Sequence, residues 1–74
     1  MDKDLISKYF YEHYADAKGR EETYTIDDII EEQLGSQVYY TVNYYQQLGG
    51  MRFRGKYGIH IQDIRNEKLK NILE

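Results

Sequence analysis

The chain has 74 residues, 41% of them hydrophobic, with a net charge of −3 and no cysteine. This length fits one domain (1–74), and the missing cysteine excludes disulfide bonds and thiolate zinc sites. No apolar run approaches the roughly 20 residues of a membrane span and no signal peptide is recognised. We therefore expect a cytoplasmic protein without a membrane partner.

The first predicted helix covers residues 4–17, where apolar side chains recur at helical spacing. Its apolar stripe is wider than one buried face needs, which favours a second packing partner. His13 lies on this stripe and is expected to be packed or at an interface. A short β-prone strand is predicted next, at 23–26.

Two short helices separated by a glycine turn are predicted over 25–34 and 36–48. Thr25 and Asp28 have the spacing of a capping box that would open the first of them, and Gly35 would end it. The second would bury Val38, Val42, Tyr45 and Leu48. The acidic residues nearby are interpreted as a solvated face or, alternatively, as a docking face for a basic partner: Asp27, Asp28, Glu31 and Glu32.

After Gly49-Gly50 the apolar period changes to two, which predicts a β-hairpin over 51–62. Residues 55–58 (Gly-Lys-Tyr-Gly) are interpreted as its turn. The outward face of this hairpin carries Arg52 and Arg54, with Lys56 near the turn, and His60 also faces outward. A short final helix is predicted over 65–74.

Three segments carry a family resemblance: Thr25 through Ser36, Val38 through Met51, and Gly55 through Ile61. Their order, two short helices about a glycine turn followed by a hairpin, resembles the winged helix-turn-helix superfamily of small archaeal, bacterial and phage proteins. The resemblance implies an α+β, mostly helical fold with a three-helix core, a β-hairpin wing and a short C-terminal helix. It also implies a transcriptional regulator that binds double-stranded DNA.

On this resemblance, DNA would be contacted by the third helix and the wing. The residues in question are Ser36, Gln37, Tyr40, Asn43, Tyr44, Gln47, Arg52, Arg54 and Lys56. The third helix has no Lys or Arg for the usual contact to guanine, and three wing bases give a salt slope of only about −3 per protomer. Charged wing residues also serve simply to prevent edge-to-edge pairing. The alternative is a winged-helix protein-interaction module that does not bind DNA, anchored by its tyrosines.

A homodimer is expected, because the stripe on the first helix exceeds what one small core needs. Its interface would use the first and last helices, through Leu5, Tyr9, His13, Leu69, Ile72 and Leu73. We recognise no nucleophile with a base, no metal cluster and no phosphate-binding glycine loop. The sequence thus predicts a binding domain, not an enzyme, without metal or cofactor.

Overall fold

The computed structural model describes residues 3–73, with side chains described as far as Leu69. Its main elements are α1 (Lys3–Phe10), β1 (Tyr24–Leu34), β2 (Gln37–Leu48), β3 (Met51–His60) and α2 (Ile61–Leu73). The three strands form one antiparallel sheet in the order β1-β2-β3. Between residues 3 and 73, no helix combines the length and apolar character that crossing a membrane requires.

The winged helix-turn-helix fold expected from the sequence is wrong. Residues 25–34 and 36–48, predicted as helices, lie in β1, in β2 and in the turn between them. The predicted turn at 55–58 lies inside β3, so the hairpin is formed by β2 and β3 and turns at Gly49-Gly50. Within residues 3–73, a sheet with two helices on it replaces the expected three-helix core.

Side-chain shape explains why β2 is a strand. Seven of its twelve residues are Val, Thr or Tyr, which lose side-chain freedom in a helix and pack well on a pleated sheet. Its burial alternates: Tyr40 and Val42 are buried, whereas the residue between them is half-buried. The alternation agrees with a strand that has one face in the core.

Glycine turns join the strands. Each turn has two residues, Gly35-Ser36 and Gly49-Gly50, and the first glycine of each has a positive φ, 64° and 61°. This is the pattern of a type II′ hairpin. A glycine that ends a helix also has a positive φ, which is why Gly35 also fitted a helix end.

A β-bulge at Asp27 interrupts β1. Ile26 and Asp28 pair with consecutive residues of β2, which leaves Asp27 as the extra residue. Because of the bulge, Ile26 and Ile29 both pack against the core although they are three residues apart. The Oδ1 atom of Asp28 accepts the N–H of Ile29 at 2.8 Å, so this side chain caps the backbone at a bulge and not at a helix start.

The two helices cover one face of the sheet, and the core lies between the two layers. The most deeply buried side chains come from α1, β2 and β3: Ile6, Phe10, Val42 and Ile59. The predicted first helix is helical, since α1 continues as a π-helical segment over Tyr11–Ala15 and a 3₁₀ turn over Asp16–Lys18. The final helix starts at Ile61, earlier than predicted, and buries Ile64.

Candidate functional site

The face of the sheet opposite the helices is uncovered, and we call it the open face. Strand side chains alternate between the two faces, so the residues between the core positions point here. From β1 these are Thr25, Asp28, Ile30, Glu32 and Leu34, joined by Asp27 at the bulge. From β2 they are Gln37, Tyr39, Thr41, Asn43, Tyr45 and Gln47; from β3 they are Arg52, Arg54, Lys56, Gly58 and His60.

The strand register arranges the open face in rows that run across the sheet. Four rows are Thr25–Tyr45–Arg54, Asp28–Asn43–Lys56, Ile30–Thr41–Gly58 and Glu32–Tyr39–His60. Neighbouring strands lie about 4.8 Å apart, so the outer members of a row are about 10 Å apart. Carboxylates therefore occupy the β1 edge and basic groups the β3 edge, with tyrosine, threonine and asparagine between them.

Tyr45 links the two charged edges. The guanidinium carbons of Arg52 and Arg54 lie 4.8 and 5.7 Å from the centroid of its ring, within the range of cation–π attraction. On the other side, its hydroxyl donates to Oδ1 of Asp27 at 3.5 Å. Tyr45 thus contacts charged groups from both edges of the open face.

A shallow groove of about 320 Å³ lies beside Tyr45. Its lining residues are Asp27, Asp28, Asn43, Tyr44, Tyr45, Arg54, Gly55 and Lys56. Two carboxylates and two cations therefore share one recess. This arrangement suits recognition of a surface that itself carries both charges, since groups of either sign find a partner there.

The far end of the open face is ordered around His60. Its ring meets Tyr39 edge-on, with centroids 5.0 Å apart. Nδ1 of His60 accepts the backbone N–H of Gln62 at 3.0 Å, so in the neutral ring Nε2 carries the proton and donates it to Oε1 of Gln37. These bonds hold the imidazole on the β3 edge of its row.

The predicted DNA-contacting residues divide between the two faces of the sheet. Those on the open face are Gln37, Asn43, Gln47, Arg52, Arg54 and Lys56, while Ser36 lies in the first turn. Tyr40 and Tyr44 point to the helix side, where Tyr40 is only 8% exposed. A helix would have placed Tyr40 and Tyr44 beside Asn43 and Gln47, whereas strand alternation separates them.

Sequence reasoning missed Tyr45 as a member of this surface and placed Tyr39 only beside the outward face of the third predicted helix. Tyr45 was assigned to a buried helical stripe with Val38 and Val42, but only the even-numbered residues of β2 face the core. The signal that could have found the two tyrosines is the alternation of Tyr39, Thr41, Asn43 and Tyr45 with apolar neighbours.

The helix-side tyrosines are packed and neutral. Burial raises the pKa of Tyr44 well above its usual value near 10, and its hydrogen bond with the Tyr14 hydroxyl, at 2.8 Å, raises it further. Burial also raises the pKa of Tyr9 and of Tyr57. These hydroxyls stay protonated at neutral pH, so they suit packing better than acid–base chemistry.

The helix residues predicted to form a dimer interface partly serve the chain's own core. Leu5 and Tyr9 pack against that core, and His13 stacks on Tyr9 with ring centroids 4.2 Å apart. Leu69 is 57% exposed. The side chains of Ile72 and Leu73 lie outside the described residues. Since α2 contacts α1 within one chain, part of the wide stripe is covered without a second copy.

One cluster of possible metal ligands joins the helical segments. The ligand atoms of Glu12, His13 and Glu67 lie within 4.8 Å of one another. Their direct interaction is an ion-pair contact of 3.5 Å between Nε2 of His13 and Oε2 of Glu67. Sequence spacing gave no hint of the cluster, because Glu67 is more than 50 residues away from the other two.

Comparison of the chain with protein-family models, curated proteins and solved structures gives no match. The function must therefore be argued from the chemistry of its surfaces. Among the described residues, the open face combines half-buried aromatic rings, ordered charges and a groove. It is the candidate functional site of this chain.

Proposed function

We propose that the chain is a non-catalytic module that binds another protein through its open face. One observation carries the proposal: tyrosines occupy the centre of this face, carboxylates one edge and basic groups the other. Tyrosine and arginine are enriched in protein interfaces and among their hot spots. Opposed charges at the two edges also fix the orientation of a partner and reject wrong ones.

Charge balance makes duplex DNA the weaker candidate. The open face carries three carboxylates (Asp27, Asp28, Glu32) and three cations (Arg52, Arg54, Lys56). Nucleic-acid affinity comes largely from unopposed positive charge on phosphates, and the carboxylates in the groove repel phosphate. The major groove admits a helix or a two-stranded ribbon, so a three-stranded face enters it poorly.

A second candidate function is the binding of single-stranded nucleic acid. The contact of Arg52 and Arg54 with the Tyr45 ring favours it, because such proteins combine a basic track with aromatic rings on which bases stack. The backbone would then follow β3, and a base would stack near Tyr45. A cytoplasmic location fits either function, since a chain without cysteine suits a reducing compartment.

Site-specific photo-cross-linking in cells that naturally contain the chain tests the proposal. A photoreactive amino acid replaces Asn43 on the open face or, as a matched control, Lys8 on the exposed side of α1. We expect discrete protein adducts from position 43, none from position 8, and loss of the adducts when Tyr45→Ala is added.

The same experiment separates the alternatives. Nuclease-sensitive adducts at position 43, together with saturable binding of a labelled single-stranded oligonucleotide in vitro, would favour the second candidate. Saturable binding of mixed-sequence duplex DNA would favour the DNA function expected from the sequence. Adducts at position 8 alone, or no adducts at either position, would overturn the proposal.

A further inference from the structure

We propose that the partner recognised by the open face is a second copy of this chain, related by a two-fold axis that runs parallel to β2. This inference rests on the proposed function and names its partner. The two sheets would pack open face to open face, about 10 Å apart, as sheets do in sandwiches. The order of charges across the face favours this pairing.

Rotation about a two-fold axis along β2 exchanges the two edges of the sheet. Each row then lies directly over the same row of the second copy. The acidic edge of one copy then lies over the basic edge of the other. Asp28 of one copy meets Lys56 of the second copy as a pair of opposite charges, and Glu32 lies over the His60 ring of the second copy. Each pairing occurs twice, because a two-fold interface repeats every contact.

The alternative face-to-face two-fold axis, perpendicular to the strands, gives the opposite result. It would leave each edge over its own equivalent and reverse the order of the rows, so an axis at the Asp28 row would place Asp28 over Asp28 and Lys56 over Lys56. Like charges placed opposite one another across an interface cost several kcal/mol. The charge pattern therefore selects the axis parallel to β2.

The shape of the open face and its exposed apolar side chains agree with a two-fold axis parallel to β2. Ile30 is 42% exposed on the open face, and the rotation places it over Gly58 of the second copy, where a Cβ would meet no atom within 4 Å. The glycine leaves room for the isoleucine side chain. Leu34, 63% exposed at the end of the same strand, extends the apolar line that a second copy would cover.

The size of the face indicates a weak dimer. Three strands at about 4.8 Å spacing and about ten residues at 3.3 Å rise give roughly 450 Å² per copy. The total of about 900 Å² is below the range of stable specific interfaces and falls among transient ones. Much of the attraction is between charges, so the association is expected to weaken from ~0.1 M to ~1 M salt, as the Debye length falls from about 10 to about 3 Å.

Charge reversal and swap of one pair test the inference by sedimentation equilibrium at ~0.1 M salt. Asp28→Lys and Lys56→Asp each place two like-charged contacts in the dimer, and each should weaken association at least about tenfold, or 1.4 kcal/mol. The double variant Asp28→Lys with Lys56→Asp restores both contacts and should return association to within about threefold of the wild-type chain. The matched controls Glu21→Lys and Lys3→Asp lie away from the open face and should leave association unchanged.

Cysteine cross-linking tests which surface of the chain forms the dimer interface. The chain has no cysteine, so a single Thr41→Cys lies alone near the proposed axis and should form cross-linked dimers with a short bis-maleimide. Lys8→Cys on α1 should not, whereas a dimer through the helices, as expected from the sequence, would give the reverse result.

Three outcomes would overturn the second copy as partner. They are a monomer at every concentration, a dimer unaffected by either reversal, and cross-linking at position 8 alone. Open-face adducts to a different protein by a chain that stays monomeric would also overturn it, but would leave the proposed function intact. No open-face adducts to any protein, this chain included, would overturn both.

Discussion

The two faces of the sheet are built from the same strands and differ in nearly every physical respect. On the helix side, the strand residues that belong to the core are aromatic or aliphatic and are buried beneath α1 and α2. On the open face, their immediate chain neighbours are mostly charged, polar or tyrosine, with Ile30 and Leu34 as exposed apolar exceptions. Stability and recognition are thus assigned to alternate residues of one segment, so a change to one face should leave the other largely unaffected.

The largest contrast is expected between two isoleucines. Ile59 is 1% exposed on the helix side, and Ile30 is 42% exposed on the open face. Ile59→Ala should lower the free energy of unfolding by about 2–5 kcal/mol through lost burial and a cavity, and Ile30→Ala by less than about 1 kcal/mol. Urea titrations followed by circular dichroism measure both. Ile59→Val, expected to cost about 0.5–1.5 kcal/mol, serves if the alanine variant does not fold, and equal losses for Ile59→Ala and Ile30→Ala would contradict the assignment of faces.

Two glycines of β3 give the next largest contrast. A Cβ at Gly55, on the helix side, would lie 2.5 Å from the Tyr44 hydroxyl oxygen, whereas one at Gly58 meets nothing within 4 Å. Gly55→Ala should destabilise by about 1–3 kcal/mol through overpacking. Gly58→Ala should stabilise by up to about 1 kcal/mol, since it restricts the unfolded chain. Thermal unfolding of dilute protein compares them, and a neutral Gly55→Ala would contradict the tight contact.

Two adjacent tyrosines of β2 allow the contributions of their hydroxyl groups to stability to be compared. Tyr44→Phe removes a 2.8 Å partner of the part-buried Tyr14 hydroxyl and should cost about 1 kcal/mol. Tyr45→Phe removes a long, exposed hydrogen bond to Asp27 and should change stability by less than about 0.5 kcal/mol. A double-mutant cycle with Tyr14→Phe and Tyr44→Phe isolates the pair. A coupling energy of zero would show that the two hydroxyls do not stabilise each other.

Alkaline pH should affect the helix side first. Burial raises the pKa of Tyr44 in the folded chain, so above the unfolded value near pH 10 the unfolded state loses protons that the folded state keeps. Stability contributed by the neutral tyrosines is complete below about pH 10 and decreases as pH rises further. Urea midpoints measured across this range should fall less steeply in Tyr44→Phe than in the wild-type chain. An identical slope would mean that Tyr44 ionises equally in both states.

The sequence predicted the ends of the fold better than its centre. Apolar spacing located the first helix and most of the last, and Arg52 and Arg54 share one strand face as expected. Lys56, predicted at a turn, lies on the same face inside β3. The prediction for residues 25–48 was wrong because their apolar positions fit a helical period as well as a period of two. Gly35 did not distinguish a helix from a strand here, because a positive φ occurs both at helix ends and in type II′ turns.

The open face could be predicted from the sequence only in part. Its basic edge followed from β-alternation, but its acidic edge depends on the bulge at Asp27, which shifts the alternation of β1. A bulge leaves no reliable mark in a single sequence. The placement of Asp28 and Lys56 in one row depends on two strand registers at once, so it could not be predicted from local sequence patterns.

The contact between α1 and α2 has a consequence for how the chain is made. The two helices lie at opposite ends of the sequence, and the core that holds Ile6 also needs Ile64. Ribosomes add about 5–20 residues each second, so the earlier isoleucine waits roughly 3 to 12 s for the later one. During synthesis the aromatic side of the sheet is therefore only partly covered until Ile64 has been added and α2 can pack.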